Sequence, residues 1–583
     1  VVRDFEPFDL IIIQTLVTRK ITDIAWQSHG IGLKRAVNTG QRLISRKRPR
    51  ILGSSEELLS QVDAAQAMEG AGGSGPPTPT NAAPALGRRT AHGFAWMLGQ
   101  TLLSKGAGMV GQIMVAWFLT PHDFKLVALV YAVVVFPALI RDSGLQGILV
   151  QRQHHLRRWI QPAFWMSLML GGVATVLMLA AAPLAARFYG QPKLVGLISV
   201  VAVGGMLNAL TTVPSAMVQI HMRFRFQAAW SLVSNLMMQA ITIVLAWRGF
   251  GAYSFVLANA FCSLATTAAM WYAEPFKVHS RLYLRRWRYM VGDSGTLLLN
   301  YLLWAVVAQG DYLCLAAFHK TDDSTGMFYF AFNLSWQSVL LLTLNVGAVL
   351  YPAIARLRND PARQMQAYLR TLRVLALVSV PACWLQAVVA SPGIHLLFKS
   401  KWYPAIPATQ ALCVGMAVRC VGSTVAAITL GRGRNLLQLT FSAVYAVLFI
   451  GTMLLASSCG EAVLRALHVP AASPQLAVAI AEGGFYMIID PITLAYVLRI
   501  YGEPGIAHLT RIFGVPLGAG LAAAGAAWAA QAAVPEFRGT SLTRILAGTV
   551  AMVAVYVPLI LVFARGTVQD LLQMRKGNNA AAA

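Results

Sequence analysis

Between Ala91 and Arg565 the chain runs as about fourteen apolar stretches separated by short loops. A helix needs roughly 20 apolar residues to cross about 30 Å of hydrocarbon, and each stretch has about that length. With 57% hydrophobic and 12% charged residues, the composition excludes an ordinary soluble protein. An all-α polytopic membrane protein is expected, with its work done inside the lipid because no stretch is left for a large external domain.

The spans are read at 92–119, 124–150, 161–183, 194–220, 227–248, 250–272, 289–316, 326–351, 367–390, 404–429, 435–457, 474–499, 509–533 and 541–564. Basic residues test this count. With the N-terminus inside, inner loops and flanks hold 22 Lys and Arg past Arg89, against 10 outside. A missed or surplus helix would invert every later loop and destroy that alternation, so an even count with both termini cytoplasmic is expected. The net charge of +25 therefore points to membrane topology, and no nucleic-acid partner is expected. All six cysteines lie in or beside apolar stretches at unrelated spacings. They read as small core residues, not as a disulfide frame or a metal site.

The longest basic connection, Glu274–Tyr289, divides the first twelve spans into two sets of six. Phe118-Leu-Thr-Pro-His-Asp-Phe-Lys and Phe318-His-Lys-Thr-Asp-Asp-Ser-Thr each follow the first span of a half and precede an aromatic-rich span. The expected organisation is two six-helix bundles around a central cavity, residues 91–273 and 274–500. Two further helices follow at 501–566, and a cytoplasmic tail at 567–583. Residues 1–90 read as a disordered cytoplasmic tail and linker. No signal peptide is read there, and the apolar run Leu10–Val17 is too short to cross; the basic run at 46–50 suits anionic lipid.

Ionisable groups within a span cost about 2.5–3.5 kcal/mol each, so they usually face a cavity. The first span carries Lys105 with Thr101, Gly108 and Gln112 on one side. The second carries Arg141 and Asp142, placed a little over two turns from its inner end, and the tenth carries Arg419. Arg141 and Asp142 can equally form a local pair, and Arg419 a structural bond. On the acidic side, Asp293, Asn300 and Asp311 share a stripe; Glu482, Tyr486 and Asp490 follow at i, i+4 and i+8, with Pro491 behind. These carboxylates can take up H+ or Na+, or pair with Lys105 or Arg419. No enzyme is expected: P-loop, HExxH and metal–sugar DxD motifs are absent, and the outer loops are short.

The segment Trp96–Arg152 carries a resemblance. Gln112, Leu119-Thr-Pro with Asp123-Phe124, and Asp142-Ser-Gly-Leu with Gln151-Arg152 resemble the opening of bacterial polysaccharide exporters. These are lipid-linked-oligosaccharide flippases of the multidrug/oligosaccharidyl-lipid/polysaccharide (MOP) superfamily. Asp311 with Gly326 and Tyr329, Leu350-Tyr-Pro-Ala-Ile-Ala-Arg, and Leu397-Phe-Lys-Ser-Lys-Trp extend the likeness to about Arg499. Departures are Lys125 for a glycine, Ala116-Trp117 for Ala-Arg, and Lys399 for a loop glycine.

The resemblance implies a MATE-like fold and a flippase of the inner membrane. Its cargo would be a polyprenyl-diphosphate-linked oligosaccharide used in exopolysaccharide or surface polysaccharide assembly, alongside membrane lipids, a polymerase and export machinery. Lys105, Arg141 and Arg419 are then the candidates for the diphosphate, with Gln100, Gln112, Asn300 and Tyr301 for the sugars. Asp142, Asp293, Asp311, Glu482 and Asp490 are candidates for ion coupling or structural pairing. No cofactor is expected beyond a coupling H+ or Na+. The alternatives are a relative with another cargo, a drug/cation antiporter or a peptidoglycan-precursor flippase, or a membrane-embedded glycan polymerase or ligase.

Overall fold

The computed structural model describes residues 106–142, 144–151, 156–279, 295–357, 360–535 and 541–564, with Ser104 and Trp287. The chain divides into two units, Val1–Ala85 and Leu86–Ala583, and all described residues belong to the second. Lys105, Gln100 and Asp293, and the tails at 1–90 and 567–583, lie outside the described residues.

Helices follow one another with short connections. The first seven are α1 (Gly106–Phe118), α2 (Pro121–Asp142), α3 (Leu145–Gln151), α4 (Leu156–Tyr189), α5 (Lys193–Ile220), α6 (Phe224–Trp247) and α7 (Tyr253–Ala273). Next come α8 (Gly295–Phe318), α9 (Ser324–Arg356) and α10 (Pro361–Leu397). A 3-10 turn at Ser400–Ala405 leads into α11 (Ile406–Gly422) and α12 (Val425–Gly431). The chain ends in α13 (Asn435–Ala466), α14 (Pro474–Ile500), α15 (Gly505–Ala532) and α16 (Ser541–Phe563).

Among the described residues, 12 helical spans are long and apolar enough to cross a membrane. The protein is a multi-pass, all-helical membrane protein. Two expected spans stand outside that count: α1, described over Gly106–Phe118 only, and α9, a helix of 33 residues. Side-chain bonds tie α9 to α11 and α10. The Ser335 hydroxyl lies 2.8 Å from the Ala331 carbonyl and 3.2 Å from that of Thr409, while Gln386 on α10 donates to the Leu334 carbonyl at 2.6 Å.

Two expected spans, each still one apolar stretch at Pro121–Val150 and Ser400–Gly431, are interrupted as helices. In the first, α2 ends at Asp142, Gly144 adopts φ +75° and α3 starts afresh. Arg141 and Asp142 therefore close a helix and do not lie two turns inside one. The stretch 404–429 is likewise split, into the 3-10 turn, α11 and α12. The cysteine reading also needs correction. All six are free thiols and Cys314, Cys383, Cys413 and Cys420 are buried, but Cys262 is half-buried and Cys459 is exposed.

Helices α2, α4, α5 and α7 pack as one group, with α6 against α7. A second group joins α8 to α13, α13 to α14, α14 to α11, and α11 to α9 and α10. Helices α15 and α16 pack on each other and on α10, where Tyr556 donates to the Leu377 carbonyl at 2.9 Å. Between the two groups, α2 touches α8 and α9. Lipid supplies no hydrophobic drive for helix association, so close backbone approach matters. It is close where α11 crosses α14: a Cβ on Gly415 would collide with the backbone of Gly483. That crossing sets Arg419, one turn further along α11, beside α14.

Candidate functional site

A cavity of about 970 Å³ lies between the two helix groups. Its walls come from α2 (Tyr131 to Arg141), α8 (Asn300 to Tyr312), α9 (Tyr329 to Trp336), α11 (Arg419) and α14 (Glu482, Tyr486). Of the residues picked from sequence, Arg141, Arg419, Asn300, Tyr301, Asp311 and Glu482 line it. Asp490 stands behind Arg419. Gln112 lines a separate, smaller cavity next to the first.

Arg419 is buried at 7% exposure. Its Nη1 lies 3.5 Å from Asp490 Oδ1, and its guanidinium sits 5.1 Å, 5.4 Å and 5.1 Å from the ring centres of Trp304, Tyr445 and Tyr486. Aromatic faces hold a cation by their quadrupole, for about 0.5–2 kcal/mol per ring. Tyr445 also donates to Asp490 Oδ1 at 3.0 Å, and Tyr486 to Glu482 Oε1 at 2.6 Å. Three buried polar atoms here have no hydrogen-bond partner among the described residues: Arg419 Nε, Glu482 Oε2 and Asp490 Oδ2. Buried polar atoms are rarely left unpaired, so this corner suits a ligand, ion or water that completes it.

Arg141 is neutralised locally. Its Nε and Nη2 donate to Asp142 Oδ1 and Oδ2 at 2.8 Å and 3.0 Å, and Nη1 reaches the Gly205 carbonyl at 3.5 Å. The adjacent-pair alternative is thus the geometry found, yet Arg141 still faces the cavity. Asn300 accepts from Ser442 at 2.7 Å, which ties α8 to α13. Asp311 is buried and accepts from the Tyr312 amide at 2.8 Å.

The end of the cavity near the start of α2 is sealed by long-range contacts. Lys125 Nζ donates to the Lys320 and Asp322 carbonyls at 2.7 Å and 2.5 Å. Lys401 Nζ donates to the Trp117 and Leu119 carbonyls, Trp402 Nε1 to Ala116 at 2.9 Å, and Trp117 Nε1 to Leu397 at 2.6 Å. His122 pairs with Asp323 at 3.0 Å. Asp123 takes the Thr120 amide and hydroxyl at 2.9 Å and 2.7 Å, and the Ala252 amide at 3.1 Å. Pro121 stands so close to Gly326 that a Cβ there would hit its carbonyl. Lys125 and Trp117, both departures from the resembled pattern, are working parts of this seal. From it the cavity extends toward the opposite end, where Arg141, Asn300 and Leu430 lie.

Sequence reasoning did not pick out Trp304, Tyr445, Tyr131, Asn208 or Asn259. A single aromatic on an apolar helix looks the same whether it faces a cavity or a core. The asparagines did carry a signal, since carboxamides in a span are costly when unpaired.

Three comparisons complete the picture. The family described as "Polysaccharide biosynthesis protein" matches residues 114–407. The chain is 26% identical over 368 residues to the succinoglycan biosynthesis transport protein ExoT of Rhizobium meliloti (strain 1021), covering 61% of this chain and 73% of that protein. It is 22% identical over 400 residues to the lipopolysaccharide biosynthesis protein WzxC of Escherichia coli (strain K12), covering 65% and 77%. Among solved structures, the lipid II flippase MurJ superposes with a TM-score of 0.60 at 13% identity, covering 81% of this chain and 99% of that one. An inward-facing multidrug resistance MATE transporter of the MOP superfamily superposes at 0.52 and 14% identity, covering 70% and 98%. At such identities the two structures speak for the fold alone.

Proposed function

This chain belongs to the polysaccharide biosynthesis protein family, and from that premise we propose that it is a flippase and not an enzyme. It carries a polyprenyl-diphosphate-linked oligosaccharide from the cytoplasmic to the periplasmic leaflet of a bacterial inner membrane, by alternating access. The observation that carries this reading is Arg419, a buried guanidinium with an unpartnered Nε on the wall of a roughly 970 Å³ cavity.

Hydrocarbon rejects a diphosphate, so its route needs fixed cations. Arg141 and Arg419 provide them, each with a planar fork that matches phosphate oxygens. Both are held by carboxylates at rest, so the anion must compete with Asp142 and Asp490. A cation taken up on Asp490, H+ or Na+, frees Arg419 for phosphate; its loss restores the pair. Ion occupancy and phosphate retention are coupled through that exchange, with Glu482 and Asp311 as further acceptors in the same cavity. The sugars occupy the wet space while the polyprenyl chain stays in lipid.

In this reading both termini are cytoplasmic, the sealed end is periplasmic, and the cavity extends toward the cytoplasm. Residues 91–273 and 274–500 form the two rocking bundles, and 501–566 pack outside them. A polymerase and export machinery take the delivered product.

The test is the sidedness of the lipid-linked oligosaccharide in cells depleted of the protein, read with an impermeant periplasmic sugar probe. Intact precursor trapped on the cytoplasmic face and released by re-expression is expected. Precursor that reaches the periplasm and stays unpolymerised would overturn the proposal in favour of a polymerase.

A further inference from the structure

The smaller cavity, about 290 Å³, shares Tyr329 and Asn333 with the larger one and so lies beside it. Its polar wall consists of Ser104, Gln112, Asn235, Gln239, Asn333 and Gln337, and among the described residues no charged one lines it. These residues come from three helices at the same spacing. Gln112 follows Ser104 at i+8, Gln239 follows Asn235 at i+4, and Gln337 follows Asn333 at i+4. Each helix thus turns one polar stripe toward a common point.

Carboxamides inside a membrane protein are expensive unless bonded, and they commonly serve to join helices. That role is not the one seen. Among the described residues, no hydrogen bond joins one of these carboxamides to another. Asn333 and Gln337 each donate to a carbonyl of their own helix, Tyr329 at 2.8 Å and Asn333 at 3.4 Å. Their amide oxygens remain for an occupant. The rest of the wall is Gly108, Val115, Leu340 and three aromatic rings: Phe124 packs edge-on against Phe255 and Tyr329, with ring centres 5.8 Å and 6.1 Å apart.

Resting on the flippase reading above, we propose that this pocket is a subsite for uncharged sugar residues, separate from the arginines that take the diphosphate. A carboxamide donates and accepts at once, as a sugar hydroxyl does, so the two groups can satisfy each other in either sense. The described lining is mainly carboxamide, hydroxyl and aromatic, which matches a neutral sugar better than a phosphate or a uronic acid. Its volume sits at the lower limit of small-ligand sites, about 300 Å³, which suits a short part of an oligosaccharide. The larger cavity holds the charged linkage; the smaller one reads the sugar.

The experiment measures binding by the full-length protein in nanodiscs. The ligands are a polyprenyl diphosphate, and the same lipid carrying one neutral hexose. The wild type is expected to favour the hexose-bearing lipid by about tenfold, the worth of one or two well-made hydrogen bonds. The double variant N235L/Q239L, and independently Gln337→Leu, should lose that preference while affinity for the bare lipid holds. Equal weakening for both lipids would make the carboxamides structural and overturn the proposal, as would a wild type blind to the hexose. A wild type that binds neither lipid would instead remove the flippase reading itself.

Discussion

Arg419 Nη1 and Asp490 Oδ1 stand 3.5 Å apart across the contact of α11 with α14, close enough to neutralise each other and too far for a strong hydrogen bond. The rings of Trp304, Tyr445 and Tyr486 make up the difference on the arginine side. Such a pair can be opened by a competing anion at modest cost, which suits a transient phosphate site better than a permanent strut.

Removing one member leaves the other charge buried alone, a loss of about 3–5 kcal/mol. Arg419→Ala and Asp490→Asn should each lower the melting temperature of the purified protein sharply. The double variant R419A/D490N should regain most of that stability and still export no polymer. Full export by the double variant would remove Arg419 from the transport cycle.

At the same crossing, Gly415 and Gly483 leave no room for a side chain. Gly415→Leu is expected to force α11 from α14, cost more than the about 1–3 kcal/mol usual for overpacking, and deplete folded protein in the membrane. The neighbouring Gly484 faces open space, so Gly484→Ala should leave protein level unchanged. Size-exclusion profiles of the two variants check the contrast.

Lys125 and Lys401 hold the sealed end through ammonium-to-carbonyl bonds that reach across 195 to 284 positions of the chain. Bonds with a charged donor contribute about 1.5–3 kcal/mol each. Lys125→Met with Lys401→Met should therefore shift the closed–open balance at this end by at least about tenfold. The readout is labelling of Tyr329→Cys by an impermeant thiol reagent applied from the periplasmic side, with exposed Cys459 replaced by Ser. An unchanged labelling rate would mean the lysines do not gate that end.

The sequence alone determined that the chain is a helical membrane protein, and it singled out Arg141, Arg419, Asp311, Glu482 and Asp490. Both follow from local physics: the length of an apolar run against the thickness of hydrocarbon, and the cost of a charge within it. Its carboxamide stripes, Asn235 with Gln239 and Asn333 with Gln337, were equally visible but only the fold brought them to one pocket. Tertiary structure alone decided that Asp490, not another acid, neutralises Arg419, that Lys125 seals one end, and that α2 stops at Asp142. Pairing across 71 positions or more depends on how each helix is rotated and how closely two backbones approach, and neither is encoded in the hydropathy of any one span.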